Sequence, residues 1–121
     1  MDMLNCIIVG LGGFLGAVCR YLIGLIPVKE VTLFPLKTFG INVLGCLLIA
    51  LIITGVSKGA GIPPRVELFL KAGFCGGFTT FSTFAAETAS LMQSGHVGTA
   101  VLYAVLSVSI GVAAVLLLQS A

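Results

Sequence analysis

Four apolar stretches, each about as long as a bilayer core is thick, constrain this chain more than any other feature. They run from Leu4 to Ile26, Leu36 to Val56, Val66 to Leu91 and Val97 to Gln119. A helix needs roughly 20 mostly apolar residues to cross about 30 Å of hydrocarbon. The stretches use most of the 121 residues and leave only short connectors. The sequence therefore predicts an all-α membrane protein: residues 1–121 as one domain of four transmembrane helices, with no soluble module. Charge content agrees, because 8% Asp, Glu, Lys and Arg is far below the roughly one quarter of a soluble domain. The first stretch is expected to be retained as a span. Met1-Asp2-Met3-Leu4-Asn5 has no Lys or Arg, and the apolar run exceeds the core of a secretory signal.

Several function classes fall away. A net charge of +2 without a basic cluster gives no handle for nucleic acid. Cys6, Cys19, Cys46 and Cys75 are scattered over the apolar segments with no C-x-x-C pair, so they read as small buried side chains. There is no nucleophile with a base, no carboxylate pair at one depth and no cluster of metal-ligating side chains, so an enzyme is not expected.

Cationic residues near short loops usually set orientation. Here Lys58, Arg65 and Lys71 fall to one side and Arg20, Lys29 and Lys37 to the other. A tie of three against three is either an accident of few charges or the mark of a chain inserted both ways. The second alternative allows an antiparallel dimer about a two-fold axis in the membrane plane.

Polar residues inside the spans carry the rest. In the first, Gly12 and Gly16 form a G-x-x-x-G face that permits close helix packing, and Arg20 continues it. A guanidinium at a span's centre costs about 2.5–3.5 kcal/mol. Arg20 therefore snorkels to the interface, caps helix carbonyls, or lends positive potential to a vestibule. Pro27, Lys29, Glu30 and Pro35 mark an ordinary turn. Asn42 interrupts an apolar second span; its amide either bonds another helix or offers two donors to an anion.

The third span is the unusual one. Residues 73–84 read GFCGGFTTFSTF, with three glycines and four hydroxyl residues in twelve positions. Each glycine costs roughly 1 kcal/mol against alanine inside a helix, so a break in the helix is expected. Non-helical backbone at membrane depth is tolerated only within protein or beside a water-filled cavity. Such breaks free carbonyls for cations and helix N-termini for anions. In helical register Thr80, Thr83, Phe84 and Glu87 share one side. Phe81 and Phe84 either pack into a core or turn their positive ring edges to an anion. On the fourth span Thr99, Tyr103 and Ser107 repeat every four residues, with Gly111 next. This stripe either bonds neighbouring helices or lines a path. His96 is assigned no role.

With these motifs in hand, the chain resembles the Fluc family of fluoride channels, also called CrcB. The resemblance spans nearly the whole sequence. It rests on Gly12-Gly13-Phe14-Leu15-Gly16-Ala17 with Arg20-Tyr21, on Asn42-Val43-Leu44-Gly45, and above all on the run from Gly73 to Phe84. It implies an antiparallel dual-topology homodimer in the cell membrane with two pores and a sodium ion at the dimer axis. By motif, backbone carbonyls of Gly76 and Thr79 would hold the sodium. Phe81 and Phe84 would line the fluoride path, Asn42 would donate its amide, and Ser82 and Thr83 would supply hydroxyls. Tyr103 and Ser107 match a polar track, and Gly111 stands where some relatives carry serine. Arg20, Thr80 and Glu87 remain vestibule or structural candidates. The implied activity is passive, selective export of fluoride. Two rivals are weaker. A dual-topology proton-coupled drug exporter of the small multidrug resistance type wants a carboxylate in its first span, which is absent here. A non-transporting assembly subunit would not need hydroxyl stripes on two helices.

Overall fold

The computed structural model describes residues 2–27 and 33–120; Lys29 and Glu30 of the first connector lie outside the described residues. Every regular element among the described residues is helical. Helix α1 is Met3–Gly24, with Asp2 as N-cap accepting from the Leu4 N–H at 3.0 Å. Helix α2 is Leu36–Ser57. The next segment is composite. A short helix α3, Pro64–Leu68, starts with proline in its first turn, where the missing N–H costs nothing. It passes into a π-helical stretch, Phe69–Cys75, and then a single turn α4, Gly76–Phe78. Thr79 (φ −83°, ψ 158°) and Thr80 (φ −146°, ψ 117°) are extended before α5, Phe81–Gln93, begins. Helix α6 is Val97–Ser120. The turn before it uses Gly95 at φ 86°, a conformation that favours glycine. Three of these helices, α1, α2 and α6, are long and apolar enough to cross a membrane.

Two seams hold the bundle. Between α1 and the composite segment, backbone lies on backbone. A Cβ at Gly12 would sit 2.9 Å from Gly73 Cα, one at Gly16 would sit 2.8 Å from Phe78 N, and one at Gly77 would sit 2.9 Å from Gly13 Cα. No real side chain tolerates such contacts, so the glycine face expected on the first span meets a second one made by Gly73 and Gly77. In lipid, where apolar burial gives helices no drive to associate, this closeness is what dispersion requires. The other seam joins α2 to α6. Ala50 and Ala100 are fully buried, and a Cβ at Gly111 would come within 3.1 Å of Cys46 Sγ.

Tyr103 is wholly buried and packs with Leu91, Ala100, Phe34, Phe39 and Phe84. Outside this core the protein is markedly apolar. Phe14, Tyr21, Phe81 and Leu117 are each at least 64% exposed. In water such a surface would drive aggregation. In a bilayer it is the ordinary exterior.

Candidate functional site

The site is organised by how the chain handles the gap between α4 and α5. Two extended residues leave backbone groups that no helix satisfies, and burying them unpaired is expensive. Asn42, on α2, resolves this for Thr80. Its Oδ1 accepts from the Thr80 N–H at 2.8 Å while its Nδ2 donates to the Thr80 carbonyl at 3.1 Å. The amide thus mimics a neighbouring strand. One amide hydrogen is consumed, and the other has no partner among the described residues. Thr80 then caps α5, its Oγ1 accepting from the Thr83 N–H at 3.2 Å, and lies 3.5 Å from Ser82 Oγ. Thr79 turns its hydroxyl back to the Cys75 carbonyl at 2.8 Å.

These side-chain bonds have a second effect. The Thr80 N–H would complete an α-helical bond to Gly76, and the Thr83 N–H one to Thr79. Both donors are diverted, to Asn42 and to Thr80 Oγ1. The carbonyls of Gly76 and Thr79 are therefore released from the helical ladder. The carbonyl of Gly77 is treated differently: Arg20 Nε donates to it at 3.2 Å. Arg20 thus bonds a carbonyl of the composite segment and also borders the second cavity.

Two cavities meet at Thr80. The larger, about 390 Å³, is lined by Asn42, Thr80, Phe81, Phe84 and Ser107, together with Gly76 and Thr79. The Phe81 and Phe84 ring centroids are 5.8 Å apart at a tilt of 47°. Phe81 projects freely, 78% exposed, whereas Phe84 also meets Tyr103 edge-on at 5.0 Å. The Ser107 hydroxyl is buried with no hydrogen-bond partner among the described residues. A buried hydroxyl normally finds a partner, so this one has hydrogen-bonding capacity unused among the described residues. Among the described residues, no carboxylate lines this cavity.

The second cavity, about 340 Å³, is lined by Arg20, Lys37, Thr38, Thr80, Thr83 and Glu87 among others. Lys37 Nζ donates to the Gly24 carbonyl at 2.9 Å. Glu87 accepts from the Tyr103 hydroxyl at 2.9 Å, so the tyrosine proton is already engaged. The face expected for Thr80, Thr83, Phe84 and Glu87 divides here: Thr80, Thr83 and Glu87 share the second cavity, and Phe84 turns into the first. Ser82 and Thr83 are exposed beside the break. Of the α6 stripe, Tyr103 and Gly111 are buried and Thr99 and Ser107 half-buried.

Lys71 also lines the larger cavity. In the sequence it counted only towards orientation. The available signal was its isolation, since it is the one Lys or Arg between residues 66 and 91. Lys37 and Thr38, near the start of α2, were likewise not singled out as site residues, because nothing local marks them.

Long apolar helices, an apolar exterior and polar groups turned inward onto a helix gap define a multi-pass helical protein of the cell membrane. More narrowly, the chain belongs to the CrcB family: residues 7–118 match the family described as "CrcB-like protein, Camphor Resistance (CrcB)". It is similar to the protein named "Fluoride-specific ion channel FluC" from Azobacteroides pseudotrichonymphae, 41% identical over 111 residues, 91% of this chain and 89% of the relative. The same name is carried by proteins of Chlorobaculum tepidum, 44% identical over 93% of this chain and 90% of the relative, and of Acidobacterium capsulatum, 46% identical over 88% and 86%.

Proposed function

We propose that this chain forms a passive, fluoride-selective channel that lets fluoride leave the cytoplasm down its electrochemical gradient. What carries the proposal is that Phe81, Phe84, Asn42 and Ser107, whose hydroxyl has no partner among the described residues, line one cavity that has no carboxylate among those residues. Fluoride is small and tightly hydrated, so a path must replace its water with donors that hold it weakly enough to release. Neutral donors and ring edges meet both conditions. Ser82 and Thr83 extend the donors towards the second cavity, and Arg20 and Thr80 keep the gap in shape. Tyr103, its hydroxyl donating to Glu87, supports the wall through Phe84. The names of the relatives point the same way, and no enzymatic chemistry is called for.

The composite segment is proposed as a third, discontinuous span, giving four spans at about 4–26, 36–56, 66–91 and 97–119. The functional unit is proposed as an antiparallel dual-topology homodimer. The balanced charges and the 78% exposed Phe81 support it, since a pore-lining ring needs a wall opposite. A sodium ion at the dimer axis fits the donor set, because the released carbonyls of Gly76 and Thr79 are hard oxygen ligands of the right kind. When bound it would supply fixed positive charge at the gap.

The test is fluoride efflux from potassium-loaded liposomes containing the purified protein, with a potassium ionophore and chloride as control. Rapid fluoride but not chloride efflux, lost on substituting Phe81 or Asn42, is expected. Absence of fluoride flux from well-folded protein would overturn the proposal.

A further inference from the structure

We propose that Lys71 is the electrostatic attractor of the path: it concentrates the anion at the larger cavity, and Glu67 sets its strength. The inference rests on the channel reading above. The composite segment presents two faces. Phe69, Gly73 and Gly77 lie against α1, whereas Lys71, Cys75, Gly76 and Thr79 border the cavity. The π-helical stretch Phe69–Cys75 shapes this arrangement, with the Gly76 N–H reaching back to the Lys71 carbonyl. π-Turns are uncommon and cluster at functional positions.

Lys71 is the only Lys or Arg among the described residues lining this cavity, and its side chain remains 41% exposed. Its Nζ lies 3.2 Å from Glu67 Oε1, four residues back across the junction of α3 with the π-helical stretch, and the Glu67 side chain is 28% exposed. Such a pair contributes little to stability. Its effect on a nearby mobile ion is another matter. A cation at a cavity mouth with low-dielectric walls raises the local anion concentration, and added salt removes the effect. A single charge about 7 Å from the ion's route amounts to roughly a threefold enrichment in dilute salt. Glu67 offsets part of this, so the pair leaves a graded field rather than a trap.

The test uses the full-length protein in liposomes, with initial fluoride efflux measured at low and at high ionic strength for wild type, Lys71→Gln, Lys71→Arg and Glu67→Gln. The expected result is a roughly threefold loss for Lys71→Gln at about 10 mM salt that closes towards wild type near 1 M, where the screening length falls from about 30 Å to 3 Å. Lys71→Arg should keep wild-type flux, and Glu67→Gln should exceed it at low salt. Low-salt flux unchanged in both Lys71→Gln and Glu67→Gln would overturn the inference while leaving the channel reading intact. A loss in Lys71→Gln that is equal at both salt concentrations would also overturn it, by marking a structural role. Should Lys71→Gln fail to fold, Glu67→Gln carries the test by itself. Wild-type protein without fluoride flux would refute the channel reading instead.

Discussion

Replacing Asn42 with alanine should loosen the gap between α4 and α5 as well as silence the path. The substitution removes two bonds at once, from the Thr80 N–H at 2.8 Å and to the Thr80 carbonyl at 3.1 Å. In a soluble core, a backbone group left without its partner costs about 1–3 kcal/mol. Side-chain hydrogen bonds between membrane helices average only about 0.6 kcal/mol, because the unfolded chain in lipid also finds partners. Thr80 lies nearer the first case than the second, since an extended residue has no helical ladder to fall back on. Water in the adjoining cavity recovers part of the loss. The expected cost is therefore about 2 kcal/mol, more than a tenfold shift of the folding equilibrium. Reversible unfolding in mixed micelles, followed by circular dichroism, reads this directly. Ser107→Ala is the matched control. It touches the same cavity but removes a buried hydroxyl with no partner among the described residues, so stability should hold or rise slightly while fluoride efflux falls. Asn42→Ala within about 0.5 kcal/mol of wild type would refute the strand-like role assigned to the amide.

The remaining predictions concern packing and the rings. Gly16→Ala places a methyl against the Phe74 carbonyl and the Phe78 nitrogen and should cost about 1–3 kcal/mol or more in the same unfolding assay. Gly10→Ala, whose added Cβ meets nothing within 4 Å, should be neutral or stabilising by about 0.5–1 kcal/mol. Phe84→Leu should lower the stability of the folded chain by about 0.5–1.5 kcal/mol through its lost edge contact with Tyr103. Phe81→Leu, at an exposed ring, should leave the stability of the folded chain unchanged, and efflux should fall for both.

What the sequence revealed was set by periodicity and by oddity. Apolar length marked the stretches that hold α1, α2 and α6, the three helices long and apolar enough to cross a membrane. The glycines and hydroxyls of residues 73–84 flagged an irregular segment, because no other role suits so many poor helix formers in a row. Two things were not legible. The π-helical register of Phe69–Cys75 arises from fitting Gly73 and Gly77 onto α1 while Cys75 and Lys71 face elsewhere, a compromise between distant residues. The choice of partner for Asn42 was equally hidden. An amide in an apolar helix announces a need for hydrogen bonds, but only the fold brings Thr80, 38 positions later, within reach. Lys71 counted in the sequence only towards orientation, because which cavity its side chain borders depends on the fold of the composite segment.

The seam between α1 and the composite segment is built from the absence of side chains. Gly12, Gly16, Gly73 and Gly77 have nothing left to trim, so change at these positions can only add atoms. Elsewhere in the bundle a bulky residue can shrink in one helix while a neighbour grows in another, and the pair drifts together. Here no compensating partner exists, because each helix already touches the other's main chain. A library randomised at these four positions should therefore return glycine almost alone, whereas one spread over the exposed face of α6 should return nearly any apolar residue.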